Sequence, residues 1–380
     1  MVLGVDRFLS EGLYRGLAGR RIAVLCNQSS LTSQLTCGVC EFRGRGLNVE
    51  YVLVPEHGFW GLGDAGEPVP SYYDPVLRVP VRSVYPGVEG FDVLDEVDAV
   101  LVDIQDVGIR FYTYVSAALQ VLEEASRCGV SEVLVLDRPN PLSGSVLEGP
   151  VLRSDFRSYV GYCEIPLRYG LTLGELSLYY NSERRLGLDL RAIPMLNYSR
   201  SLDVLDLDTH WVPPSPAIPD RETVFTYPSL ALLEGTNVSE GRGTYTPFKI
   251  FGAPFVEPEK LCGRLNSMKI PEVLFRPTYF KPRYSKYSNS VCGGAFVHVI
   301  NRKVVEVVKL GLGVLKALYE LYSDKLEFAK TSGRFYVDLL LGTPNWRSAV
   351  MSGDLEEFVS AAREEAGRFR ESAKPFILYS

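Results

Sequence analysis

Glu56-His57-Gly58 follows a largely apolar run, residues 49–55, and its side chains have a direct chemical use. A glutamate at the edge of an apolar wall keeps its proton more readily, which suits a general acid. His57 is one of only three histidines in the chain, and Gly58 lets the backbone turn sharply beside it. Such a pair can also simply close a loop, but its position argues for chemistry. Two further apolar runs end in carboxylates: 97–102 in Asp103-Ile104-Gln105-Asp106, and 133–136 in Asp137-Arg138-Pro139-Asn140. In an open parallel sheet the carboxyl ends of the strands share one edge, where ligands bind. The layout therefore predicts one cleft lined with acids, amides, arginines and a histidine, the equipment of an acid/base enzyme.

The stretch 103–114 is the densest in polar groups. Asp103 and Asp106 can orient hydroxyls, and Arg110 can grip a carboxylate through a bidentate fork. Tyr112 and Tyr114 have the flat, amphipathic shape that stacks on sugar rings. Asp106 can equally serve only as the N-cap of the helix that follows. Asp137 beside Arg138 reads as well as a structural ion pair as it does as part of a site. Farther along, Glu234, Asn237, Glu240 and Arg242 share a short stretch with three glycines and several hydroxyls. Such loops hold polar ligands through side chains and backbone amides, so this one is expected to wall a cleft.

Several chemistries lack their signatures. No G-x-G-x-x-G follows the first expected strand, and there is no Walker A sequence, H-E-x-x-H or G-x-S-x-G elbow. His210, in a proline-flanked loop, and His298, in an apolar strand, read as structural, so neither a metal nor a cofactor is expected. The seven cysteines are odd in number and scattered, which argues against a disulfide scaffold. Cys37-Gly38-Val39-Cys40 matches C-x-x-C but is expected in the middle of a helix, as two half-buried thiols. The net charge of −6 is spread along the chain without a basic run, which disfavours nucleic acid and anionic membranes as partners. With no secretory layout at the N-terminus and no long apolar stretch, a cytoplasmic protein is expected.

The elements that position these residues follow from periodicity. Residues 21–26 read as the first strand, ending at Asn27-Gln28-Ser29. A helix at 33–43 and the strand 49–55 complete a βαβ unit. Residues 58–90 read as a long loop over the cleft. Residues 97–103 and 133–137 are strands, with a helix at 111–127 between them. Thr172-Leu173-Gly174-Glu175 has the capping-box form and opens a helix, and 188–195 reads as a further strand. Four prolines between 213 and 219 break the pattern, which sets a boundary near residue 222. Residues 1–222 are then an α/β domain with a mainly parallel sheet, and 223–380 a smaller α+β domain. In the second, 294–300 and 334–341 read as strands, and 304–322 and 355–369 as helices.

Taken together, these motifs resemble the exo-β-N-acetylmuramidase family (NamZ-like), long known as a domain of unknown function. The resemblance runs nearly end to end. It rests on Pro55-Glu56-His57-Gly58-Phe59, on 103–114, on Asp137-Arg138-Pro139-Asn140-Pro141, on Glu148-Gly149-Pro150, on 234–244 and on Gly252-Ala253-Pro254. It implies a Rossmann-like N-terminal domain, a smaller C-terminal domain with a cleft between them, and release of terminal N-acetylmuramic acid from the non-reducing end of peptidoglycan fragments. The lactyl carboxylate of that sugar would give Arg110 or Arg242 a partner. The chain departs from the family pattern at Tyr169, where a histidine is usual, and at Arg82, where a tyrosine is common. Ala217 replaces an asparagine, and Ser29-Ser30 replaces a Thr-Gly pair.

The reading is a glycosidase acting on a β-linked N-acetylated amino sugar in an oligosaccharide. Glu56 is the general acid and His57 its orienting partner. Asp103, Glu234 and Glu240 are candidates for the second catalytic group, and the substrate's own acetamido group is another. Asn27, Asp106, Arg110, Tyr112, Tyr114, Asp137, Arg138, Asn140, Asn237 and Arg242 are the expected sugar-binding residues. The competing readings are a sugar-binding or sensing protein of the same fold without turnover, and a glycosidase whose sugar preference has drifted.

Overall fold

The computed structural model describes residues 1–88 and 90–380; Glu89, inside the stretch expected as a long loop, lies outside them, as does the side chain of Ser352. The chain forms two compact units. The first comprises Met1–Val146, Tyr169–Pro216 and Glu371–Ser380, and the second Leu147–Arg168 and Ala217–Arg370. In chain order the strands are β1 (Arg21–Leu25), β2 (Asn48–Val54), β3 (Tyr72–Asp74), β4 (Val79–Ser83), β5 (Ala99–Val102), β6 (Glu132–Leu136), β7 (Glu148–Val151), β8 (Pro166–Arg168), β9 (Leu190–Ile193), β10 (Ile250–Ala253), β11 (Val273–Phe280), β12 (Cys292–Val299), β13 (Lys330–Thr331) and β14 (Arg334–Phe335).

The first unit is an α/β sandwich around one sheet, ordered β3-β4-β2-β1-β5-β6-β9. Every pair is parallel except β3 with β4. β5 and β6 are buried at every position, as strands covered on both faces must be. On one face Ile22, Val24, Val52 and Val54 share a core with Phe8 of α1 (Gly4–Ser10) and Phe42 of α2 (Gly38–Gly44). Those two rings meet edge-on at 5.6 Å. The alternate residues Ala23, Leu25, Leu53 and Val100 are buried outside that cluster and point the other way. α3 (Thr113–Arg127) packs with α4 (Leu173–Glu183), which in turn lies against β6 and β9. α4 opens on the expected capping box, with the Thr172 N–H 3.0 Å from Glu175 Oε2 and the Glu175 N–H 3.2 Å from Thr172 Oγ1. β1 runs on to β2 at one side while β5 pairs at its other side. The connectivity therefore reverses between β1 and β5, where an open sheet leaves a crevice.

Four local expectations are corrected. The stretch 58–90 is not a bare loop, because β3 and β4 extend the sheet from within it. The helix expected over 33–43 begins only at Gly38, since residues 32–36 close a turn in which the Thr32 N–H donates to the Thr36 carbonyl. Cys37 is its N-cap, so the C-x-x-C pair opens a helix instead of lying inside one. Burial nevertheless pushes the Cys37 thiol up to about 12, the reverse of what a reactive thiol needs. In the second unit the strand expected over 334–341 pairs only at Arg334–Phe335.

That unit has an antiparallel sheet ordered β10-β12-β11 and the two-stranded ribbons β7–β8 and β13–β14. Its helices include α5 (Thr223–Leu230), α6 (Pro258–Ser267), α7 (Val307–Tyr322) and α8 (Tyr336–Leu341), the last formed by the residues beyond β14. No helix among the described residues is long and apolar enough to cross a membrane.

Candidate active site

β1, β2, β5 and β6 deliver Asn27, Glu56, Asp103 and Asp137 to one edge of the first unit's sheet. Glu56 is half-buried. Its Oε1 accepts the Gly66 N–H at 2.7 Å and its Oε2 the Thr113 hydroxyl at 2.6 Å, so both oxygens are fixed in direction. Thr113 is the first residue of α3, which ties the carboxylate to a rigid element. His57 has φ +73, and its Nδ1 lies 2.7 Å from the Gly63 carbonyl. A carbonyl only accepts, so Nδ1 carries a proton, and Nε2 has no partner among the described residues. Gly63 must be glycine, because a Cβ there would stand 3.1 Å from His57 Cα and 2.7 Å from a Val69 methyl.

The remaining carboxylates of this edge are fully buried and bound to the protein. Asp103 Oδ1 pairs with Arg138 Nε at 2.7 Å, while its Oδ2 has no hydrogen-bond partner and burial raises the carboxyl. Asp106 accepts the Gly108 N–H at 2.7 Å and the Tyr169 hydroxyl, and burial pushes it up to about 6. Asp137 accepts the Gly174 N–H at 2.8 Å, the Thr172 hydroxyl at 2.7 Å and the Tyr379 hydroxyl at 2.5 Å. Burial outweighs those bonds and lifts Asp137 to about 7.

The expected sugar-binding residues of this unit are mostly inside it. Asn140 spends its amide on the Leu171 carbonyl and the Leu142 N–H, and Asn27 on the Pro214 carbonyl and Ser29. Arg110 is 1% exposed, and Tyr112 and Tyr114 are buried with their rings 4.6 Å apart. The Tyr114 hydroxyl donates to Pro214 O at 2.8 Å, and burial, then the Glu56 charge, raises that phenol. Of the expected arginines, Arg138 borders a cavity.

In the second unit, Arg242 Nη1 lies 2.8 Å from Glu234 and 3.3 Å from Glu240, with its guanidinium over the Phe248 ring. Lys286 Nζ reaches Glu240 at 3.0 Å. Burial raises both carboxyls; it prevails at Glu234, whereas Lys286 and Arg242 hold Glu240 below its ordinary value. Asn237 clamps the Lys325 carbonyl and the Glu327 N–H. Sequence reasoning missed the residues that aim these groups. Thr113 stood inside a motif without a role, Gly66 lay in a stretch without periodicity, and Lys286 carried no local signal.

A carboxylate fixed at the carboxyl edge of a parallel α/β sheet, beside a histidine with a bare Nε2, defines a protein of the acid/base enzyme class. Two family models cover nearly all of the chain, the N-terminal part of exo-beta-N-acetylmuramidase NamZ over residues 22–222 and its C-terminal part over residues 225–379. The chain belongs to this family. It is 37% identical to the peptidoglycan beta-N-acetylmuramidase NamZ of Bacillus subtilis, across 99% of this chain and 91% of that one. Two crystal structures of DUF1343 family proteins from Bacteroides fragilis are similar throughout. One has TM-score 0.90 at 29% identity and the other 0.79 at 28%, each alignment covering 100% of this chain and 99% of the other.

Proposed function

We propose that this protein is a glycoside hydrolase that releases terminal β-linked N-acetylmuramic acid from the non-reducing end of peptidoglycan fragments, with Glu56 as the proton donor. The observation that carries the assignment is the double grip on Glu56 by the Gly66 N–H and the Thr113 hydroxyl. A hydroxyl both donates and accepts, so Thr113 can serve the carboxylate and, by turning its bond round, the carboxylic acid. The carboxyl then stays aimed as it gives its proton to the glycosidic oxygen and as it recovers one. His57, held through Nδ1 by Gly63, orients the loop that carries it.

Bond cleavage also needs a group that meets the anomeric carbon as positive charge develops there. Asp103, Asp106 and Asp137 are buried and bound within the protein. Glu240 is 1% exposed between Arg242 and Lys286, and Glu234 is ion-paired with Arg242 at 2.8 Å. These placements favour the acetamido oxygen of the substrate itself as the internal nucleophile, with Glu56 later activating the water. Seven unbridged cysteines suit work in a reducing cytoplasm.

The test is chromophore release from an aryl β-N-acetylmuramide, run beside the matching N-acetylglucosaminide, with Glu56→Gln as control. Turnover of the muramide that is lost in the variant is the expected result. Wild-type rates in Glu56→Gln would remove the acid assignment. Turnover of the glucosaminide alone would mark a drifted sugar preference, and binding without turnover a sensing protein.

A further inference from the structure

A cavity of about 370 Å³ opens in the first unit beside the carboxyl ends of β1, β5 and β6. That volume lies within the range of small-molecule sites. Glu56, His57, Thr113 and Tyr114 are not among its lining residues. Its lining comes instead from the N-terminus, from residues between 29 and 35, from Gln105, Arg138 and the prolines beside it, and from residues between 204 and 212.

Two of the lining side chains have unused polar atoms. Arg138 is nearly buried; its Nε is spent on Asp103 at 2.7 Å and its Nη2 on the Leu31 carbonyl at 2.9 Å. Its Nη1 donates to no described residue. Gln105 spends its Nε2 on the Asp106 and Pro139 carbonyls, at 2.8 and 2.9 Å, which fixes the amide's orientation. Its Oε1 accepts from no described residue. A prepositioned guanidinium Nη1 is matched by a carboxylate oxygen, and a prepositioned amide oxygen by a hydroxyl. The Ser33 hydroxyl and the Trp211 indole also line the cavity, and Leu31, Leu207 and Pro139 supply carbon surface.

We propose that this cavity is a second small-molecule site, taking a hydroxylated carboxylic acid of about monosaccharide size, with its carboxylate on Arg138 and a hydroxyl on Gln105. The occupant touches residues 207–212, which lead directly to Pro213 and Pro214. The Pro214 carbonyl accepts from Asn27 at 3.0 Å, Gln28 at 3.0 Å and Tyr114 at 2.8 Å, the last being the neighbour of Thr113. A ligand that steadies this segment therefore steadies the ends of β1 and α3.

Titration calorimetry on the full chain tests the site without requiring turnover. The probes are N-acetylmuramic acid, a hydroxylated acid, and N-acetylglucosamine, its neutral counterpart. Ser33→Trp and Asp208→Trp fill the cavity from two exposed positions; Ser33 holds Asp6 only through its backbone N–H. Circular dichroism identifies which variants fold. The expected result is at least tenfold weaker acid binding in a folded variant, and at least tenfold weaker binding of the neutral sugar by the wild type. A wild-type chain that binds no acid, or a folded variant with an unchanged Kd, overturns the site. Equal binding of the two sugars overturns the carboxylate assignment.

Discussion

The hydroxyl of Thr113, at the start of α3, donates to Oε2 of Glu56, at the end of β2, across 2.6 Å. The two residues are brought together by the sheet, and the bond fixes the carboxyl oxygen that the Gly66 N–H does not hold. Thr113→Val keeps the shape and removes the donor. A hydrogen bond to a charged group is worth about 1.5–3 kcal/mol, so kcat/KM for the aryl muramide is expected to fall roughly 10- to 100-fold, mostly in kcat. Thr113→Ser should retain most of the activity. Steady-state kinetics on the three proteins checks this, and a Val variant at wild-type rate would refute the positioning role.

The strands at this edge were legible because they are apolar runs that stop at polar residues, and Glu56 was legible with them. Its two donors were not, since Gly66 sits in a stretch without periodicity and Thr113 lies 57 residues away. The hairpin of β3 and β4 was hidden among the glycines and prolines of 58–90, where alternation lasts only three to five residues. The start of α2 was misplaced because Leu35 adopts φ +59 and closes a turn, which residue type does not signal. In 334–341 a short apolar run fits strand and helix alike, and only the pairing at Arg334–Phe335 separates them. The tyrosines of 112–114 looked like a sugar platform because sequence gives residue type without burial.

Gly108 has φ +74, and a Cβ there would stand 2.2 Å from Asn140 Oδ1. Asn140 cannot retreat without releasing the Leu171 carbonyl and the Leu142 N–H. Backbone strain and this overlap together predict that Gly108→Ala loses about 3 kcal/mol or more of stability. Urea unfolding followed by fluorescence measures it, and a midpoint unchanged from wild type would contradict the packing described.

Lys286 is the second cation on Glu240, whose carboxylate is 2% exposed. It also donates to the Leu233 and Val238 carbonyls at 2.8 and 3.1 Å, so it knots the loop together. Lys286→Met keeps the stem and deletes the charge, leaving Glu240 with Arg242 alone. Losing a hydrogen bond to a charged group costs about 1.5–3 kcal/mol. Thermal unfolding should show the loss, and it should shrink in the double variant Lys286→Met/Glu240→Gln, where no charge is stranded.

Asp137 gives the fold a pH dependence of definite sign. Burial holds its carboxyl at about 7, while in the unfolded chain it titrates near the ordinary aspartate value of about 4. Between those two values the unfolded chain releases a proton that the folded chain keeps, so unfolding gains ground as pH rises. The stability that comes from keeping Asp137 neutral is complete below about pH 4, is lost progressively up to about 7, and is flat above. Asp106, raised to about 6, and Glu148, raised to about 7, act in the same direction. Asp137→Asn removes its own contribution and leaves the others. It also weakens the hold on Thr172, Gly174 and Tyr379, a cost present at every pH. The informative quantity is the difference between wild type and variant, which is expected to narrow by about 3 kcal/mol between pH 4.5 and 7.5. Urea unfolding of both proteins at five pH values measures it. A difference that widens with pH would mean that Asp137 is ionised in the folded chain and that its hydrogen-bond donors outweigh its burial.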